Sequence, residues 1–175
     1  FRTLNNNEIR KLNDIAKKYN IKYQNIHKLD LIDEILSNVD VIPNSIVLAQ
    51  AAIESGWGKS RFAKEYNALF GEYTYDDSEG VIPLERENGD THLIKAFSSY
   101  SNSVKSYFDN INSHYAYEDF RDIRNIMRKR NNFSSVNLLV NKLSTYAEDE
   151  NYIKTIRQVI KTNNFGIFDQ KTISY

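Results

Sequence analysis

Chemistry in this chain centres on one acidic residue. Glu54 follows a run that is apolar over residues 46–53 except for Gln50, and it stands immediately before Ser55-Gly56-Trp57-Gly58. Pro43 suits the first turn of a helix, where its missing N–H is not needed, so the run reads as a helix buried nearly all round. Gly56 then ends the helix and leaves Glu54 at its C-terminal end. The negative end of the helix dipole, burial and the neighbouring Trp57 all disfavour an ionised carboxylate there. Each pushes the Glu54 pKa upward, as a general acid working near neutral pH requires. A helix-end Glu can also merely cap or pair with Lys59 or Arg61. The coincidence with a Gly-Trp-Gly turn and an apolar helix favours catalysis.

Glycoside hydrolysis that activates water calls for a second carboxylate. Glu85 and Glu87, two residues apart, fall on one face of a strand. Asn88-Gly89 is a strong hairpin signal, because both residues accept positive φ. With a two-residue loop at that point, strands over 81–87 and 90–97 place Glu87 opposite Asp90 and Glu85 opposite His92. The His could then tune or hydrogen-bond Glu85. An acidic edge strand kept soluble by charge explains the same residues equally well. Asp76, Asp77 and Glu79 are further acidic candidates nearby.

Other chemistries find no support. The chain has no Cys, which excludes thiol nucleophiles, disulfides and Cys-based metal sites. His27, His92 and His114 lie apart without metal-ligand spacing, so neither a metal nor a cofactor is expected. Gly58-Lys59-Ser60 mimics the end of a phosphate-binding loop, but Ile53 stands where the pattern needs Gly. No Gly-x-Ser-x-Gly elbow occurs.

The elements that must position Glu54 are mostly helical. The 175 residues suffice for one domain, or a domain with a small lobe. Apolar residues at helical spacing mark Ile9–Tyr19 behind an Asn5-Asn6-Asn7 cap cluster, then Leu29–Leu36. The pattern returns at Val104–Ile111, Phe120–Met127, Val136–Leu143 and Tyr152–Ile160. Both Pro and five Gly fall between residues 43 and 89, so turns and a small β lobe belong there. Charge is balanced, 23 Lys and Arg against 23 Asp and Glu, which argues against a phosphate-tracking surface and hence against nucleic acid. No stretch approaches the roughly 20 apolar residues of a membrane span. Arg121, Arg124, Arg128, Lys129 and Arg130 form a basic cluster that reads as a solvated helix face, or as contact with an anionic polymer. Twelve Tyr, nine Phe and one Trp are the compositional anomaly. Such rings pack into cores or stack on the C–H faces of sugars. Tyr66, Phe70, Tyr73, Tyr75, Tyr115 and Tyr117 are candidates for either use, and Trp57 suits a pocket wall.

Several motifs in order also resemble a known family. Ala52-Ile53-Glu54-Ser55-Gly56-Trp57-Gly58-Lys59-Ser60-Arg61-Phe62 followed by Tyr66-Asn67-Ala68-Leu69-Phe70-Gly71 resembles the glucosaminidase domain of glycoside hydrolase family 73, in its Bax-like branch. The resemblance runs from Val39-Asp40-Val41-Ile42-Pro43 through Phe97-Ser98-Ser99, Asn112-Ser113-His114-Tyr115-Ala116-Tyr117 and Leu143-Ser144-Thr145-Tyr146 to Asn163-Asn164.

The resemblance implies a mainly α fold of the lysozyme-like α+β kind, with a helical lobe and a β-hairpin lobe flanking a glycan cleft. Its parts would be an N-terminal helical extension over 1–42, the catalytic helix and turn over 43–70, the β lobe over 71–97 and a helical lobe over 98–175. The implied activity is endo-β-N-acetylglucosaminidase action on peptidoglycan glycan strands. Glu54 falls on the family's catalytic acid, Glu85 on a β-lobe carboxylate and Tyr146 on a tyrosine lining the site. Trp57, Asn67, Phe70, Tyr73, His92, Tyr115 and Tyr152 are the expected substrate contacts. Glu72 and Glu148 depart from the family's usual Lys and Thr. If Glu85 is not the base, the substrate N-acetyl group could act as internal nucleophile. A muramidase or lytic transglycosylase on the same fold, and a silent glycan-binding module, remain open readings. A peptidoglycan substrate implies action outside the cytoplasm, and a monomer is expected. The chain opens at Phe1-Arg2 without a basic-then-apolar leader, so any export signal is expected to lie outside this sequence.

Overall fold

The computed structural model describes residues 4–83, 91–130, 136–147 and 149–171. Its elements are α1 (Asn6–Lys18), α2 (Lys28–Asn38), α3 (Asn44–Glu54), α4 (Arg61–Tyr66), β1 (Tyr73–Thr74), β2 (Gly80–Val81), β3 (Leu93–Lys95), α5 (Tyr100–Ser113), α6 (Glu118–Lys129), α7 (Val136–Val140) and α8 (Tyr152–Thr162). Short 3₁₀ turns cover Tyr115–Tyr117, Asn141–Leu143 and Phe165–Lys171. The chain is mainly helical with one small antiparallel sheet, as expected. Packing divides it into two compact units, Phe1–Val41 with Asp109–Ile153, and Ile42–Phe108 with Lys154–Tyr175.

In the first unit, α1 starts on a capping box. Asn5 Oδ1 accepts from the Asn7 and Glu8 backbone N–H groups, and Glu8 Oε2 accepts from the Asn5 N–H, satisfying donors that a helix start leaves open. Ala16, Ile21, Leu31 and Ile35 form the buried cluster under α1 and α2. The basic cluster on α6 is not a uniformly solvated face. Arg121 and Arg124 are buried, at 7% and 0% exposure. Arg124 donates to the carbonyls of Asn38, Asp40 and Val41 and to Asn112 Oδ1, over 2.7–3.3 Å. Arg121 reaches Asn38 Oδ1 and the Ile111 and His114 carbonyls, and Arg128 clasps the Asp40 carboxylate. These arginines tie down the end of α2 and the segment after it, where the Asn38, Asp40 and Val41 carbonyls have left the helical ladder. Burial pushes the Arg124 pKa down to about 10, and the Asp40 charge works against that shift. It remains a cation at neutral pH.

The second unit holds α3, α4, the sheet, residues 100–108 of α5 and the C-terminal segment. Pro43 caps α3 from one position outside the first turn. It offers no side-chain acceptor, and Asp169 supplies one instead. Asp169 accepts from the Ser45 backbone N–H at 2.8 Å and from Ser45 Oγ at 2.7 Å. A carboxylate at this end also opposes the helix dipole favourably. The helix is not buried all round. Ser45, Ile46, Ala49, Gln50 and Ala52 face inward, but Leu48 is 39% exposed.

The sheet runs in the order β1-β3-β2 and is antiparallel throughout. β1 was not anticipated, because a two-residue strand has no periodicity to read. The β2–β3 pairing sets Gly80 opposite Lys95 and Val81 opposite Ile94. A two-residue loop at Asn88-Gly89 would instead set Val81 opposite Ala96, so the register differs by two residues from the expected one. β2 ends at Val81, two residues before Pro83, which has no N–H to donate to a ladder. The expected pairs of Glu87 with Asp90 and Glu85 with His92 involve residues outside those described.

Candidate active site

Glu54 is the last helical residue of α3, and the chain beyond it closes in a Schellman motif. The Gly56 N–H bonds to the Ile53 carbonyl at 3.2 Å and the Trp57 N–H to the Ala52 carbonyl at 2.7 Å. The motif needs a left-handed residue after the cap, which Gly56 provides at φ +56°. Trp57 and Gly58 continue in the same region at φ +58° and +70°. For Trp57 this conformation costs roughly 1–2 kcal/mol, stored in the turn beside Glu54. Ser55 steadies that turn by donating to the Ala51 carbonyl at 2.5 Å and accepting from the Gly58 N–H at 2.8 Å.

The half-buried Glu54 lies against the segment that leads into β1. A methyl group added at Gly71 would stand 3.7 Å from Glu54 Oε2, so the carboxylate packs on the Gly71 backbone. One helical turn back on the same face is Gln50, fully buried, whose Oε1 accepts from Tyr107 OH at 2.6 Å. Phe70 stacks on the Tyr107 ring at 4.2 Å. Glu72 accepts from Ser106 Oγ at 2.8 Å, and its backbone carbonyl takes the Lys95 N–H at 2.8 Å. Leu69 donates its N–H to Ser103 Oγ at 3.1 Å. α3, α5 and residues 69–72 thus meet in a polar seam that ends at Glu54.

The other candidate residues divide by burial. Asn67 caps α4 at φ +54° and donates its side-chain amide to the Phe97 carbonyl at 2.9 Å. That amide joins α4 to the sheet, a structural duty beside the expected substrate contact. Phe70 is 2% exposed, so packing takes the ring expected to touch sugar. Trp57 is 55% exposed, with its ring 6.5 Å from Phe165. Tyr73 is 64% exposed and stacks on His92 at 4.2 Å, which makes a composite aromatic plate on β1 and the approach to β3. Glu85 lies outside the described residues.

In the first unit, Tyr115 is 81% exposed and rests on His114 at 4.4 Å. Tyr146 is half-buried, with its ring parallel to Tyr152 at 5.9 Å and tilted against Tyr117 at 6.1 Å. Tyr152 is 4% exposed. It serves as a support under Tyr146 instead of a surface contact. Tyr117, also expected as a stacking candidate, is buried at 6%. Among the described residues, no group of His, Cys, Asp or Glu is arranged to hold a metal ion.

Sequence reasoning missed the Gln50–Tyr107 and Glu72–Ser106 pairs. Gln50 was the available signal for the first, since it is the lone polar residue within 46–53 and sits four residues before Glu54.

Glu54 thus stands at the end of a largely buried helix, beside a turn and a small sheet, in a mainly helical chain. Residues 29–165 match the glucosaminidase family model, described as mannosyl-glycoprotein endo-beta-N-acetylglucosaminidase. The chain belongs to that family.

Among its relatives is protein bax of Escherichia coli K12, 35% identical over 137 residues that make up 78% of this chain and 48% of that protein. The peptidoglycan hydrolase FlgJ of Escherichia coli O157:H7 is 33% identical over 93 residues, 46% of this chain and 29% of that protein. The chain thus spans about half of the first relative's length and under a third of the second's. The catalytic domain of the autolysin Auto from Listeria monocytogenes shares the fold. It has a TM-score of 0.54 and 18% identity, and the match covers 97% of this chain and 91% of that one. The expected family, its Bax-like branch and the fold class therefore hold.

Proposed function

We propose that the protein hydrolyses the β-1,4 bond after N-acetylglucosamine in bacterial peptidoglycan, outside the cytoplasm, as a monomer on the glycan strand. The observation that carries this reading is the placement of Glu54. It is the final residue of α3, half-buried, and aimed at Gly71 beside the sheet. From there the acid can deliver a proton to the leaving glycosidic oxygen. The second role falls to Glu85, which activates water or stabilises the oxocarbenium-like centre, or to the substrate's own N-acetyl group. Tyr146, supported by Tyr152 and Tyr117, orients that N-acetyl group or the developing positive charge. Trp57 and the Tyr73–His92 plate offer exposed faces to sugar rings. The names of the FlgJ and Auto relatives support a wall polymer as the substrate. An action site outside the cytoplasm follows from that substrate.

Glu54→Gln keeps the shape of the side chain and removes the acid. Digestion of purified sacculi should fall by roughly two to four orders of magnitude, with the thermal midpoint unchanged. Near-normal digestion would sink the assignment. Mass spectrometry of the wild-type digest then separates the chemistries. Reducing N-acetylglucosamine ends support the glucosaminidase reading. Anhydromuramic ends indicate a transglycosylase, and reducing N-acetylmuramic acid indicates a muramidase. Binding to the wall without soluble fragments indicates a silent glycan-binding module.

A further inference from the structure

We infer that Phe165 is a positioning residue for this reaction, holding the Trp57 indole in place as a sugar-binding wall beside Glu54. The inference rests on the reading of Glu54 as the general acid and of Trp57 as a glycan contact.

The turn after α3 fixes its own backbone but not the Trp57 side chain. Residues 56–58 stand in three successive left-handed conformations, held by the two Schellman bonds and by Ser55. Every one of those bonds ends on backbone atoms or on Ser55 Oγ, so none of them sets the indole. The indole is 55% exposed, and a large ring standing in water exchanges between rotamers unless something packs on it. Among the described residues, the ring that meets it is Phe165, at 6.5 Å between centroids and 48° between planes. That separation lies within the range of a favourable tilted aromatic pair. The indole still keeps surface for a sugar.

Phe165 is itself anchored. Asn164, at φ +52°, turns the chain after α8, and residues 165–171 continue as a 3₁₀ segment packed on α3. Its far end is tied to the first turn of α3. Asp169 accepts from the Ser45 N–H and Oγ at 2.8 and 2.7 Å, and the Phe168 carbonyl accepts from the Asn44 side-chain amide at 3.1 Å. Phe165 also leans on the Phe168 ring at 6.5 Å. The segment therefore runs antiparallel to the catalytic helix, capping its start and propping the residue just past its end. Asp169 has a structural duty as the cap. Phe165 touches a ring that stands outside the helix and largely outside the core, so its contact bears on where that ring sits.

Trp57 is the only tryptophan in the chain, so its fluorescence reports on this contact without a label. Phe165→Ala should shift the emission to longer wavelength and make it easier to quench with acrylamide. It should also raise KM for a soluble peptidoglycan fragment by roughly three- to tenfold, with kcat within about twofold. Phe165→Tyr, which keeps the ring, should restore both properties. Phe165→Leu serves if the alanine variant fails to fold, and should give the same two changes to a smaller degree. In a Trp57→Ala background, Phe165→Ala should raise KM no further, because the residue acts through the indole. Emission or KM unmoved in the Phe165 variants overturns the inference. So does a lowered thermal midpoint alone, the mark of a purely structural role, and so does a full additional loss in the double variant. Activity retained in Glu54→Gln refutes the acid, and a wild-type KM in Trp57→Ala refutes the glycan contact. An inactive Glu54→Gln and a raised KM in Trp57→Ala, beside an unaffected Phe165→Ala, refute only the inference drawn for Phe165.

Discussion

Among single residues, Gly80 shows how tightly the small sheet is built. A methyl group there would stand 2.5 Å from Leu93 Cβ, 2.6 Å from Leu93 Cδ1 and 2.9 Å from Thr74 Cγ2. Leu93 is 5% exposed and heads β3, the central strand, so it has little room to retreat. Overpacking of this kind costs about 1–3 kcal/mol. Gly80→Ala should lower the unfolding midpoint, and chemical denaturation will show it. Gly58→Ala meets nothing within 4 Å, but its φ of +70° carries a backbone penalty of about 1 kcal/mol. A Gly80→Ala protein as stable as wild type would mean that the sheet opens to admit the methyl group. Gly80 was legible in the sequence only as a turn residue, because the close approach is made by a partner thirteen positions away.

For whole elements, the informative contrast is between local and distant supports. The capping box of α1 and the Schellman end of α3 were readable, since Asn5, Glu8 and Gly56 lie within a few residues of the helix ends they satisfy. The Asp169 cap of α3 was not, because its partner Ser45 is 124 residues away. The same limit hid the true use of the α6 arginines. Their spacing is that of any exposed basic helix, and only the fold brings the carbonyls of Asn38, Asp40 and Val41 within reach. Arg124→Met should therefore destabilise the protein by about 3 kcal/mol, since it strips donors from four buried or half-buried acceptors. Arg130→Met, on the exposed end of the same cluster, should stay within about 0.5 kcal/mol. Equal effects in urea titration would refute the division of the cluster into buried and solvated halves.

At the scale of the whole molecule, two compositional facts meet, the balanced charge and the abundance of rings. Twelve tyrosines could not be sorted from sequence into core and surface, because a ring with a polar tip suits both. The fold sorts them by depth. Phe70, Tyr107, Tyr117 and Tyr152 are buried, while Trp57, Tyr73, Tyr75 and Tyr115 present exposed faces. Charge is sorted in the same way. Net charge is zero, and burial of Arg121 and Arg124 removes two cations from the strongest basic cluster. For the proposed wall-glycan substrate, stacking and hydrogen bonding then carry most of the grip, and salt screens these weakly. Retention of the inactive Glu54→Gln protein on insoluble peptidoglycan should accordingly change by less than about threefold between about 0.05 and 0.5 M NaCl. A protein that tracks a polyanion by counterion release would lose affinity by orders of magnitude over that range. Steep loss of retention would show that the exposed Lys129 and Arg130 grip the polymer's anionic groups. Salt-independent retention that falls on Tyr73→Ala or Tyr115→Ala assigns the grip to the rings.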